Sequence, residues 1–289
     1  MATSTNSQEL AVSAARASEA SRICVNTNLP SFSNDAIVPT DIMSDTSILG
    51  AGDIFVHKKF LNEGDGKKLF DDIMKNIDFQ QWYHMPSKDG EEPKPLKRIK
   101  RILVNPNSNG DYPYYRFTVN DQAGHGMIAP MPEFMNDLCQ RINKLLTVEL
   151  NHIVILLYRD GDDCIGFHKD KTLDLDETAP IVSISLGCTR TYCLRDNNLN
   201  PKIHQEIALE NGTLLVLGPK TNENFYHSIK SSEDKNITPR ISITFRKAVT
   251  FKKLDNTISG KGNKYQTLNW PEELRGKHVI GYSAIPSEC

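Results

Sequence analysis

The chain has 289 residues, with 34 Lys plus Arg against 36 Asp plus Glu and a formal net charge of −2. At that length one catalytic domain with extensions is the default, and the core is ample for independent stability. The near-even charge balance excludes a global polycation, so any nucleic-acid contact must rest on local patches.

Residues 1–48 are rich in Ser, Ala, Thr and Asn and poor in aromatics, too little apolar surface to offset the entropy of ordering. They read as a disordered arm; a transit peptide is the alternative, opposed by Glu9 and Glu19 beside Arg16 and Arg22. Residues 49–150 are expected to form helical support and a substrate-recognition lid. Order begins near a short strand at Ile54-Phe55-Val56, and Leu69, Phe70, Ile73, Met74 and Ile77 then recur at helical spacing. Residues 83–111 carry Pro86, Pro93, Pro95, Pro106 and Gly110, which predicts loops and short extended pieces. Within them Lys94, Lys97, Arg98, Lys100 and Arg101 form a basic run, either a phosphate grip or a solvated loop. A second helix is expected at about 132–147, with Pro132 in its first turn and Phe134, Leu138, Ile142 and Leu145 on one face.

From 151 to 251 the texture turns to β: Ile153–Tyr158, Ile181–Leu186, Tyr192–Leu194, Thr213–Leu217 and Ile241–Phe245 are short runs between Gly, Asn, Asp and Pro clusters. Strands without intervening helices predict an α+β chain with a mainly β core, a barrel or sandwich of which the jelly roll is one form. Residues 252–289 read as a polar C-terminal extension with Trp270-Pro271. The cysteines, Cys24, Cys139, Cys164, Cys188, Cys193 and Cys289, form no CxxC pair, which reads as reduced thiols of the cytoplasm or nucleus. Neither a signal peptide nor a bilayer-length apolar run is found, so no membrane partner is expected.

Chemistry concentrates in one ordered set: His168-Lys169-Asp170, His227, then Arg240 and Arg246 on one strand. On a strand, positions i and i+2 share a face, so His168 and Asp170 can reach one ion. Two imidazoles and a carboxylate suit Fe(II) with open positions for a co-substrate and O2. Zinc hydrolysis with an open fourth position stays possible for the same donors. The bland alternatives are a chance His-x-Asp, a core histidine and solvated strand arginines.

These residues resemble the AlkB-like Fe(II)/2-oxoglutarate dioxygenases, closest to the branch of the animal DNA and RNA dealkylases. The matching text is Tyr158-Arg159-Asp160-Gly161-Asp162-Asp163-Cys164-Ile165-Gly166-Phe167-His168-Lys169-Asp170, Pro180–Gly187, Arg190-Thr191, Asn211–Leu215, Tyr226-His227-Ser228 and Pro239–Arg246. The resemblance implies a double-stranded β-helix, a jelly roll with supporting N-terminal helices. It implies Fe(II) on His168, Asp170 and His227, with 2-oxoglutarate and O2 as co-substrates. Arg240 would form a bidentate pair with the distal carboxylate of 2-oxoglutarate. Tyr158 would donate to that same end, Arg246 would lie near the chelating carboxylate, and Ser242 and Thr244 would join them in the co-substrate site.

Two departures fall in that site: Leu156 stands where the pattern has Asn, and Ser242 where it has another Asn. A third concerns substrate, because Lys171 follows the His-x-Asp where the branch carries acidic residues, which come only later at Asp174, Asp176 and Glu177. Lys171 and Asp174 are therefore expected near the substrate. Tyr115 and Phe117 match the branch's aromatic-x-aromatic pair and are expected to stack on a flipped base, or else to be hairpin core. The activity implied is oxidative dealkylation of N-alkylated bases in DNA or RNA. Hydroxylation of a small metabolite or protein side chain, and a binding module without iron, are the alternatives.

Overall fold

Period-two alternation builds the core of the protein, seen in a computed structural model that describes residues 49–84, 94–116, 128–196, 204–234 and 236–266. An eight-stranded sheet takes the order β1 (Ile54–His57), β11 (Thr213–Leu217), β8 (Ile181–Gly187), β13 (Arg240–Arg246), β6 (His152–Tyr158), β3 (Lys94–Val104) and β2 (Gln80–His84). A short β5 (Ile128–Ala129) adds in parallel to β3. Facing it is a four-stranded antiparallel sheet, β10 (His204–Leu209), β9 (Arg190–Asp196), β12 (Phe225–Ile229) and β7 (Ile165–His168). A small third sheet joins β15 (Ile258–Gly260), β14 (Thr250–Lys252) and β4 (Tyr112–Pro113). From β6 to β13 the chain crosses repeatedly between the two larger sheets, and this is the expected double-stranded β-helix.

On β13, Ile241, Ile243 and Phe245 enter the cluster formed with the helices, while Arg240, Ser242, Thr244 and Arg246 face the other way, into the cavity between the sheets. On β6 the same alternation sends Ile153, Ile155 and Leu157 to the helices, and Val154, Leu156 and Tyr158 to the cavity. A one-residue slip would drive two guanidinium groups into an apolar layer, so this pattern specifies register strongly.

The helices cover the outer face of the large sheet. Helix α1 (Glu63–Asn76) starts at Asn62, whose side chain accepts the Asp65 N–H at 2.8 Å, and buries Ile73. Helix α2 (Glu133–Leu146) buries Met135, Leu138, Cys139, Ile142 and Leu146, with Pro132 as its N-cap residue. Phe134 and Leu145, expected on the buried face, are only half-buried. The third, α3 (Pro219–Asn224), is short and precedes β12.

Residues 94–104 depart from the loops expected of 83–111: they form one 11-residue strand. Leu96, Ile102 and Val104 alternate with Ile99 and Leu103, and β6 and β2 hydrogen-bond to its two sides. Pro95 sits at its second position, near the end, where a missing N–H is tolerated. Burial therefore splits the basic run: Lys94 and Lys97, near the start of the strand, are exposed, and Lys100 is buried. Strands from before residue 150, β1 and β3, belong to the same sheet as β6 and β13. Phe117, Trp270 and the two terminal segments expected to be arm and extension fall wholly or largely outside the described residues.

Candidate active site

His168 ends β7 and His227 lies directly opposite it on β12. Their rings are 4.2 Å apart between centroids. Donor atoms of His168, Asp170 and His227 all lie within 4.8 Å of one another. His168 Nδ1 faces the Gly166 carbonyl oxygen at 2.9 Å, which makes it the donor and leaves Nε2 for a metal. Tyr192 stacks on the His227 ring at 5.5 Å and 16°.

Asp170 is fixed through its backbone and its side chain. The Asn222 amide on α3 accepts from its N–H and donates to its carbonyl, both at 2.9 Å. Arg246 Nη2 donates to both its carboxylate oxygens at 2.9 Å. Burial pushes the Asp170 carboxyl up, but Arg246, His227 and His168 outweigh it and hold it below the ordinary value. Burial chiefly, with His168 second, depresses His227 to about 3. The donors thus carry the protonation states that metal ligation needs near neutrality.

Arg240 is 1 % exposed and sits across from Tyr158 on β6, with its guanidinium 5.1 Å from that ring. Its Nη2 donates to Ser185 Oγ at 2.7 Å, while Nε and Nη1 have no hydrogen-bond partner among the described residues. Arg246 likewise keeps unpartnered Nε and Nη1. A buried guanidinium with unused donors is costly unless an anion completes it. Ser242 and Thr244 line the cavity between these two arginines.

The residues expected near the substrate separate. Tyr115 lines the cavity beside Arg246, and its hydroxyl accepts the Lys171 N–H at 3.1 Å. Lys171 also lines the cavity; burial pushes its ammonium down to about 7, with Asp174 opposing. Asp174 does not line the cavity. Its carboxylate accepts from the backbone N–H and guanidinium of Arg116, both residues fully buried, so it locks two segments together. Proximity in sequence to the metal pair suggested a substrate contact; the charge of Arg116, 58 positions away, claims it instead.

Sequence reasoning missed Asn222, Tyr192 and His152, a buried histidine opposite Arg246 and 5.8 Å from the Tyr115 ring. It also missed Ser183 and Ser185, for which a signal existed: two hydroxyls at period two inside the apolar run Ile181–Leu186.

A double-stranded β-helix that gathers two imidazoles and one carboxylate at one cavity, with a buried arginine beside them, defines a mononuclear iron oxygenase. A model of the 2OG-Fe(II) oxygenase superfamily matches residues 53–246. The chain belongs to that superfamily, and the relatives it resembles within it are AlkB homologues. It is 34% identical over 109 residues to human DNA oxidative demethylase ALKBH2, covering 36% of this chain and 41% of that protein. With the mouse protein of the same name it shares 31% over 119 residues, 39% of this chain and 49% of that one. With human alpha-ketoglutarate-dependent dioxygenase alkB homolog 3 it shares 29% over 119 residues, 39% of this chain and 41% of that one. The chain thus spans about half the length, or less, of these curated relatives. The solved structure of OsALKBH1 aligns with a TM-score of 0.46 at 20% identity, covering 68% of this chain and 96% of that one.

The donor set fits Fe(II) better than a closed zinc site, since no cysteine enters it. The unpartnered nitrogens of Arg240 and Arg246 fit a dicarboxylate co-substrate. Among the described residues no helix is long and apolar enough to cross a membrane.

Proposed function

We propose that the protein removes alkyl groups oxidatively from N-alkylated bases of DNA or RNA, using Fe(II), 2-oxoglutarate and O2. The observation that carries the co-substrate is Arg240: a buried guanidinium with two nitrogens that have no hydrogen-bond partner among the described residues, on the strand that also supplies Arg246. The nucleic-acid part is supported by the likeness to proteins named DNA oxidative demethylase.

His168, Asp170 and His227 hold the metal, and Arg246 fixes the orientation of Asp170. Arg240 grips the distal carboxylate with Tyr158 beside it, while Ser185 accepts from its Nη2 and so fixes the orientation of the planar fork. Leu156, Ile165, Ile181 and Leu215 wall the cavity and exclude water. Bound iron and 2-oxoglutarate supply the oxidant for a C–H bond. Exposed Lys94 and Lys97 on β3 are placed to meet phosphates. The reduced-thiol pattern supports cytoplasm or nucleus as the compartment.

The test is turnover with Fe(II), ascorbate and 2-oxoglutarate, with and without methylated oligonucleotides, reading succinate and formaldehyde. Methylated strands should stimulate succinate formation and release formaldehyde. If they do neither, while succinate still forms, the substrate is a small metabolite or a protein side chain instead.

A further inference from the structure

Among the described residues a second group of metal-donor side chains stands apart from the triad: Cys193 on β9, with His204 and Glu206 on β10. Strand register brings them together. Glu206 lies directly opposite Cys193, and His204, two residues earlier on β10, shares its face. Their neighbours Tyr192, Leu194, Ile207 and Leu209 join the apolar cluster between the sheets, so the donors lie on the outer face. Tyr192 is the residue stacked on His227. The two donor groups therefore stand back to back across one sheet.

Their spacing is close to that of a tetrahedral site. Glu206 Oε1 is 3.9 Å from His204 Nε2 and 4.0 Å from Cys193 Sγ, and one donor atom from each residue lies within 4.8 Å of the others. Bonds of about 2.0–2.3 Å at tetrahedral angles place neighbouring donors roughly 3.3–3.8 Å apart, so small side-chain rotations complete the set. Cys193 is fully buried, while the His204 and Glu206 side chains are 41 % and 43 % exposed, which gives an ion a way in.

Charge decides what fits. The Lys230 ammonium donates to Glu206 Oε1, the oxygen that also faces the imidazole and the thiol. Burial, opposed by Lys230, pushes the Cys193 thiol up, so carboxylate, ammonium and thiol together are neutral. A dication balances a carboxylate and a thiolate just as fully, and Lys230, itself largely exposed, is free to turn to water. Thiolate and imidazole donors select a borderline-soft ion over Ca2+ or Mg2+.

We propose that Cys193, His204 and Glu206 bind a second divalent ion of the zinc type, with water as the fourth ligand and Lys230 displaced. The thiol gives its proton to solvent as the metal–sulfur bond forms. The bound ion ties β9 to β10 on the side of the sheet away from His227. None of this depends on the dealkylation reading.

The experiment titrates the reduced, metal-free full chain with Co(II), followed by absorption spectroscopy. A cobalt–thiolate bond gives a strong charge-transfer band in the near ultraviolet; the triad, having no sulfur, gives none. The band should appear in the unaltered chain, persist in His168→Ala and disappear when Zn(II) displaces Co(II). Cys193→Ala should remove it. His204→Ala and Glu206→Gln should weaken the affinity read from it by more than about tenfold. His204 is exposed, so its replacement tests the site without disturbing the core. Lys230→Met removes the competing cation and should tighten binding. A chain without the band, or a band unchanged in Cys193→Ala or His204→Ala, overturns the site. An unchanged affinity in Lys230→Met overturns the displacement.

Discussion

Arg246 Nη2 stands 2.9 Å from each carboxylate oxygen of Asp170, a residue 76 positions earlier in the chain, so the strand that carries the two arginines proposed for the co-substrate also aims the carboxylate proposed to hold the metal. Removing that fork in Arg246→Met should weaken metal binding about 10- to 100-fold, the usual effect of losing a partner of a ligand. Arg246→Lys keeps the charge but not the planar geometry and should fall between. Titration of the apo protein with Fe(II) or Co(II) measures it. Unchanged affinity in the Met variant would show that Asp170 needs no such support.

Arg240 offers a different loss. Arg240→Met leaves the metal donors intact, so metal affinity should hold while the KM for 2-oxoglutarate rises about 10- to 100-fold, the range for a hydrogen bond to a charged group. Steady-state kinetics separates the two quantities. A fall in kcat with KM constant would place the distal carboxylate elsewhere.

Acid sensitivity follows from histidines buried neutral. Burial first, then the charges of Arg246 and Lys100, lower His152 to about 3 from an ordinary 6.5; His227 stands at about 3 for its own reasons. Because the folded value lies below the unfolded one, the unfolded chain takes up the proton first. Stability from these groups is full above pH 6.5 and is lost as pH falls toward 3, at up to about 1.4 kcal/mol per pH unit for each histidine. Urea denaturation of the apo protein at several pH values gives the slope. His152→Leu should flatten it by roughly one histidine's share, and an unaltered slope would sink the assignment.

The buried Arg116–Asp174 pair ties the segment after β4 to the one after β7. The Arg116 guanidinium also donates to the carbonyls of Gly262 and Tyr265 at 3.0 and 2.9 Å. Asp174→Ala strands a buried charge and should cost about 3–5 kcal/mol in denaturant stability. Gly262→Ala should destabilise too, because its Cβ would come within 1.9 Å of Arg116 Nη2. A loss below about 1 kcal/mol for Asp174→Ala would mean that the pair is dispensable.

The reach of the sequence can be judged from these residues. Triad, arginines and Tyr158 were legible because period-two spacing on strands fixes which side chains share a face. The β-helix was legible from short apolar runs between turn residues. Strand β3 was hidden, since four prolines in residues 83–111 and a basic run masked the alternation of Leu96, Ile102 and Val104 with Ile99 and Leu103. Asp174 was misplaced and Asn222 overlooked for one reason: each takes its role from a partner more than fifty positions away, and no local pattern encodes that distance.

Asp53 has a reach beyond its own turn. It accepts the N–H groups of Lys220 and Thr221 at 2.8 and 3.0 Å, and so pins the start of α3, whose Asn222 grips the backbone of Asp170. Gly218 lies so close beneath it that a Cβ would meet the carboxylate at 2.2 Å. A load path therefore runs from the residue before β1, through one short helix, to the backbone of Asp170. Anyone trimming or fusing this protein upstream of β1 is adjusting the proposed iron site by remote control.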